Sequence, residues 1–175
     1  NESLFPGLVP NLKRLEKEAI SFTDIRQLEA SSWTMGGLVT SQCGIPLLTY
    51  SHGNSMSGTD SFLPAATCIS DLLENEGYET AFFGGANLSF AGKKNFLETH
   101  SFDLIRGKQH WQEKYQKSIP YNEWGIYDDT LLREGYDYFR SKATADEPFA
   151  LFLLTLNTHP PEGFSSPSCN LQYQE

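Results

Sequence analysis

The chain has 175 residues, a length usual for one domain, and its 13 Lys and Arg against 22 Asp and Glu give a net charge of −9. Aromatic residues make up 13% of the total, too many for an intrinsically disordered chain. The acidic balance, with adjacent basic pairs only at Lys13-Arg14 and Lys93-Lys94, excludes a partner held by neutralising a phosphate backbone, so no nucleic-acid role is expected.

In chain order, Pro10 opens a short helix through Glu18 with Leu12 and Leu15 on one face. Residues 19–25 (AISFTDI) alternate apolar and polar and read as a strand. Ser31-Ser32 offers a cap for a helix from Trp33 to Ser41, ended by Gly44-Ile45-Pro46. Residues 51–61 read as a long polar loop. From Pro64, Ala65, Ile69, Leu72 and Leu73 recur at helical spacing up to Gly77, and Tyr78 to Phe83 then reads as a buried strand ending in Gly84-Gly85. A helix over Leu88 to Glu98 and a strand over Phe102 to Ile105 follow, while residues 108–123 have no clear period. Asp128 to Arg140 is an amphipathic helix with acids at its positive end and bases at its negative end. Phe149 to Leu156 is a continuous apolar run, the pattern of a strand covered on both faces. It contains the longest apolar stretch of the chain, far below a membrane span. The alternation predicts one α/β layered domain over residues 1–175 with a mostly parallel sheet flanked by helices. In such sheets ligands bind beyond the carboxyl ends of the strands, here after Phe83, after Leu156 and around Glu2.

Several side chains could carry chemistry. Thr34 puts a hydroxyl at a helix start, where free N–H groups and the dipole attract a phosphate, and Gly36-Gly37 would let a substrate approach the backbone; a purely structural cap is the other reading. His159 follows the apolar strand on a loop, as a ligand or phosphate contact or as an exposed loop residue. His52, His100 and His110 read as surface residues. Lys93 and Lys94 read as a solvated helix face, with contact to an anionic substrate as the alternative. Cys43, Cys68 and Cys169 form neither a CxxC metal pattern nor an even disulfide set, leaving buried thiols or one bridge plus a free thiol.

Glu2-Ser3-Leu4, Pro10-Asn11-Leu12, Trp33-Thr34-Met35-Gly36-Gly37, Ser41-Gln42-Cys43-Gly44-Ile45-Pro46 and Thr155-Leu156-Asn157-Thr158-His159-Pro160 together resemble the sulfatase and alkaline-phosphatase-like superfamily. The last two segments are most similar to its phosphoglycerol-transferring branch, with the lipoteichoic acid synthases as more distant relatives. The resemblance implies an alkaline-phosphatase-like fold and carries roles over residue by residue. Glu2 matches an acid that binds a catalytic divalent cation, expected to be manganese. Thr34, twelve residues before Pro46, matches the nucleophile and a further metal ligand. His159 matches a histidine that contacts the substrate phosphate, and Lys93 lies where the synthases carry a phosphate-gripping Arg. Thr40, six residues before the proline, is the competing nucleophile, as in the phosphoethanolamine transferases.

The implied reaction transfers a glycerophosphoryl group from phosphatidylglycerol to a periplasmic glucan through a covalent phospho-threonine. It would occur on the extracytoplasmic face of the inner membrane, with anchoring through segments absent here; in that compartment a Cys43–Cys68 bridge is conceivable. An Asp-His pair that completes the metal site in these families has no match before Glu175, and the strand expected before Glu2 is missing. The chain is therefore expected to be the front part of a catalytic domain, inactive by itself. The alternatives are a phosphoethanolamine transferase, a sulfatase-type hydrolase, or a non-catalytic binding piece. The sulfatase alternative lacks the Cys-x-Pro-x-Arg-like context at Thr34.

Overall fold

In the computed structural model, which describes residues 6–49 and 56–169, three parallel strands carry helices on both faces. The strands are β1 (Glu79–Gly84), β2 (Leu104–Arg106) and β3 (Phe149–Leu154). The helices are α1 (Pro10–Glu18), α2 (Thr34–Cys43), α3 (Ile69–Asn75), α4 (Lys93–Thr99), α5 (Lys108–Tyr115) and α6 (Asp128–Ala143). The sheet order is β2-β1-β3, with Ala81 of β1 opposite Leu104 on one side and Leu151 on the other. No helix among the described residues is long and apolar enough to cross a membrane.

Successive side chains of a strand point to opposite faces, so β1 feeds two cores. Phe82 joins Met35 and Val39 of α2 and Phe96 and Leu97 of α4. Ala81 and Phe83 join Trp111 of α5 with Leu131 and Tyr138 of α6. Burying a phenylalanine stabilises by about 1.5–3 kcal/mol, so the fully enclosed Phe82 and Phe83 tie both helical layers to one strand. At its start, Thr80 takes part in the sheet without an unsatisfied polar atom: its hydroxyl donates to the Ser101 carbonyl (2.6 Å) and its N–H to Asp103 (2.8 Å).

Several expectations hold. Pro10 opens α1, Gly44 ends α2 in the left-handed conformation (φ 69°), Gly77 follows α3 at φ 79°, and α6 has acids at its start and bases at its end. Others need correction. Residues 19–25 form no strand: strand pairing is non-local, no strand lies beside this segment among the described residues, and Ile20 is 89% exposed. The helix expected from Pro64 starts only at Ile69, because the N–H of Cys68 donates to the Asp71 carboxylate (2.8 Å) and closes the helix start there. The helix expected over 88–98 is split where Ala91 (φ 50°) and Gly92 (φ 74°) turn left-handed between a 3₁₀ turn and α4. Strand β3 stops at Leu154 and lies at an edge among the described strands, half-buried and not covered on both faces. The unassigned stretch after Gly107 contains α5. Of the loop over 51–61, residues 51–55, with His52, lie outside the described residues; 56–61 form turns and bends.

His100 is buried, against the surface expectation. Its Nδ1 lies 2.9 Å from the Asp71 carboxylate and its Nε2 3.0 Å from the Phe62 carbonyl, partners far away in sequence. Cys43, the last residue of α2, is disulfide-bonded to Cys68, and Cys169 is free and exposed. Thiol titration of the unfolded, unreduced protein should therefore find one thiol, Cys169, and three after reduction. Replacing Cys43 and Cys68 by Ser should lower the unfolding free energy by about 3 kcal/mol, read from urea melts, as expected for removing a loop closure of this length.

Candidate active site

Beyond the carboxyl ends of β1 and β3 opens a cleft of about 640 Å³. Thr34, Lys93 and His159, drawn from three separate segments, all line it; Lys108, Glu123 and Trp124 line it as well. Glu2 lies outside the described residues.

Thr34 is the first residue of α2. The preceding Trp33 is extended, and the first helical bond runs from the Gly37 N–H to the Trp33 carbonyl (2.8 Å). The N–H groups of the first turn thus have no carbonyl one turn back, and with the helix dipole they favour an anion. The expected Ser31-Ser32 cap does not form: the Ser31 hydroxyl donates backwards to the Leu28 carbonyl (2.7 Å). Among the described residues the Thr34 hydroxyl has no hydrogen-bond partner. Gly36 serves the chain's own packing and not substrate approach, since a Cβ there would run into the Ala30 carbonyl and the Trp33 indole. The competing Thr40 donates its hydroxyl to the Ile45 carbonyl (3.2 Å) and does not line the cleft.

Lys93 and Lys94 part company at the kink before α4. Lys94 is exposed and lies 3.5 Å from Glu98, as a solvated face requires. Lys93 is only 2% exposed, against that expectation, and its ammonium has no carboxylate or hydrogen-bond partner among the described residues. Burial without a counter-charge pushes its pKa down to about 8. Gly92 permits the kink, because a side chain at its left-handed φ would also strike the Met56 carbonyl.

His159 sits on a loop that α6 pins to the end of β3. The Asp128 carboxylate accepts the N–H groups of Leu156 (2.6 Å) and Asn157 (3.0 Å), and the Asp128 N–H in turn donates to Asn157 Oδ1 (3.1 Å). The Asp128 carboxylate thus fixes the loop, while the Asn157 amide oxygen satisfies the N–H of the first residue of α6. His159 Nδ1 lies 2.6 Å from the Pro160 carbonyl, which can only accept, so Nδ1 carries the proton and Nε2 is the nitrogen left for a ligand.

Sequence reasoning missed Trp124, Lys108 and the pinning role of Asp128. The Asn122-x-x-Gly125 spacing is a turn signature that would have presented Trp124. Asp128 was legible only as a helix-end charge, since its partners lie 28 and 29 residues further on.

The divalent cation that the resemblance implies needs several oxygen or nitrogen donors close together. Thr34 offers one oxygen. The one group of three metal-type ligands among the described residues, Cys43, Cys68 and His100, lies at the other end of α2, and its sulfurs are joined in the disulfide. Among the described residues no cluster of metal-type ligands lies in the cleft, and Glu2 lies outside them.

The family model described as sulfatase matches residues 4–174. Phosphoglycerol transferase I of an Escherichia coli strain is 41% identical over 170 residues, covering 97% of this chain and 22% of its own length. Phosphoglycerol transferase I of Xanthomonas euvesicatoria is 40% identical over 173 residues, covering 98% of this chain and 25% of its own. The chain thus spans about a quarter or less of the length of these relatives. Two solved structures share the fold. One is a protein of the alkaline phosphatase superfamily from Vibrio parahaemolyticus (TM-score 0.53, 24% identity, 77% of this chain and 33% of that one). The other is a lipoteichoic acid synthase from Listeria monocytogenes (TM-score 0.60, 15% identity, 74% and 29%). The alkaline-phosphatase-like α/β expectation is met.

The burial of Lys93 has a signed pH consequence. Its folded pKa, about 8, lies below the ordinary value of 10.5, so the unfolded chain holds the proton more tightly, and stability should rise as pH climbs from about 8 towards 10.5. Lys93→Met should remove that rise and raise the melting temperature at pH 7, because it relieves an unpaired buried charge. Thermal melts of both proteins across this pH window check both outcomes.

Proposed function

The chain belongs to the sulfatase family, and from that premise we propose that its cleft is the phosphoryl-handling part of a phosphoglycerol transferase. The observation that carries this reading is the meeting in one cleft of three groups without a hydrogen-bond partner among the described residues: the Thr34 hydroxyl, the buried Lys93 ammonium and Nε2 of His159.

In this reading the donor is phosphatidylglycerol. The Thr34 oxygen forms a bond to phosphorus as the bond from phosphorus to the diacylglycerol oxygen breaks, and the hydroxyl proton ends on the released diacylglycerol. The hydroxyl oxygen of a periplasmic glucan then displaces Thr34, which recovers a proton from it. Protein groups act here mainly by positioning and by stabilising charge on the phosphoryl oxygens. The first turn of α2 and the Lys93 ammonium meet the negative oxygens, and His159 Nε2, when protonated, donates to one of them. A divalent cation, manganese in this reading, would be held by Glu2 and Thr34 and would assist the threonine oxygen as nucleophile. The Cys43–Cys68 bridge supports an extracytoplasmic setting, since such bonds persist where the environment is oxidising.

Intact-mass analysis of the intact protein after exposure to phosphatidylglycerol vesicles tests the chemistry. A glycerophosphoryl adduct on Thr34 is expected, absent in Thr34→Ala, and a phosphoethanolamine adduct from mixed vesicles would favour that transferase instead. Thr34→Ala turning over at the wild-type rate overturns the reading. His159→Ala should slow adduct formation by about 10²–10³-fold, the usual effect of losing one donor to a developing oxyanion.

A further inference from the structure

We propose that Trp124 is the positioning residue for His159, its indole holding the imidazole so that Nε2 stays turned to the cleft. This rests on the transfer reading above and adds a residue to it.

The two rings are 4.0 Å apart between centroids, with their planes inclined by 43°. They come from different segments, one from the turn before α6 and the other from the loop after β3. Trp124 is 40% exposed and lines the cleft, so burial of its own surface is a weak reason for its place. Its backbone, by contrast, is held from several sides. Asn122 Oδ1 accepts the N–H groups of Trp124 and Gly125, both at 2.9 Å. Lys108 Nζ donates to the Glu123 carbonyl (2.9 Å), and Gly125 is bridged to Ala86 at the exit of β1. A Cβ at Gly125 would collide with the Gly85 carbonyl, so the close seat of this turn requires glycine.

His159 has fewer restraints. Its N–H donates to the Leu156 carbonyl (3.0 Å), and its ring makes one hydrogen bond, from Nδ1 to the Pro160 carbonyl. One hydrogen bond along the ring plane leaves rotation about that bond open, and a flat indole against the ring removes it. Aromatic contacts of this kind bias a side chain to one orientation. The substrate-facing nitrogen is thus aimed from two directions by groups that need not touch substrate.

A double-mutant cycle on the intact protein separates positioning from plain packing. Thr34 adduct formation in a single turnover is measured for wild type, Trp124→Ala, His159→Ala and the double variant, alongside binding of inorganic phosphate. Trp124→Ala should slow adduct formation by about 10-fold and weaken phosphate binding, and the double variant should be within about 2-fold of His159→Ala, because both changes remove the same interaction. Trp124→Phe, which keeps a flat face, should stay within about 3-fold of wild type, whereas Trp124→Leu should resemble Trp124→Ala. Effects that multiply in the double variant, or Phe and Leu variants that behave alike, overturn the proposal. If Trp124→Ala melts early, the Phe and Leu pair decides. A wild-type protein that forms no Thr34 adduct sinks the transfer reading instead, and the phosphate-binding cycle then decides the Trp124–His159 coupling by itself.

Discussion

Strand β1 is filled on both faces, and that constraint fixes where chemistry can happen. Ala81, Phe82 and Phe83 leave no room for polar side chains in the second half of the strand, so the candidate groups gather beyond its end. The exit itself is narrow. Trp111 Nε1 donates to the Gly84 carbonyl (2.8 Å), Phe83 packs edge-on against Trp111, and a Cβ at Gly85 would lie 2.9 Å from the Ile126 carbonyl. Two glycines, Gly85 and Gly125, therefore let the turn before α6 come against the strand end and become one wall of the cleft. The loop after β3, pinned by Asp128, forms another, and the starts of α2 and α4 supply Thr34 and Lys93.

Charge is handled differently in the cleft from elsewhere in the molecule. Lys114 lies 2.7 Å from Glu134, and Lys142 pairs with Glu79. Burial pushes the Glu134 carboxyl up, but hydrogen bonds from Lys114 and Tyr115 outweigh it and hold it below the ordinary range. Hydrogen bonds from Lys142 and Tyr138 likewise lower Glu79. Among the described residues Lys93 has no such partner, and its burial carries a desolvation cost that a paired lysine would avoid. An anion arriving in the cleft would offset that cost, which is the role proposed for Lys93. The acidic total of −9 hides this, because a local field is set by the few groups that face the ligand.

How much could be read in advance follows from how local each cause is. The strand before Gly84, helix α6 and the glycine after each of α2 and α3 rest on neighbours in sequence, and these were legible. Thr34 and His159 were legible as a helix start and a strand exit, and family resemblance suggested the roles proposed for them. The burial of Lys93 was not, because it depends on the two left-handed residues before α4 and on the Met56 carbonyl against Gly92. His100 was misread for the same reason: its partners, Asp71 and Phe62, come from a distant segment. Residues 19–25 carry a strand pattern without a neighbouring strand among the described residues, and alternation alone does not supply one.

The Cys43–Cys68 bridge does more than lower the entropy of the unfolded chain. It closes the stretch from 44 to 67 into a covalent ring, and that ring leans on α4 at several points: Met56 against Gly92, Thr59 accepting from the Asn95 amide, and Phe62 donating its N–H to Thr99 (3.0 Å). The ring thus couples the helix that carries Thr34 to the one that carries Lys93, as a closed belt couples two wheels. Widening the cleft from this side would mean shifting both helices together. The opposite rim has no such tie among the described residues: there the turn bearing Trp124 and the loop bearing His159 meet through their rings.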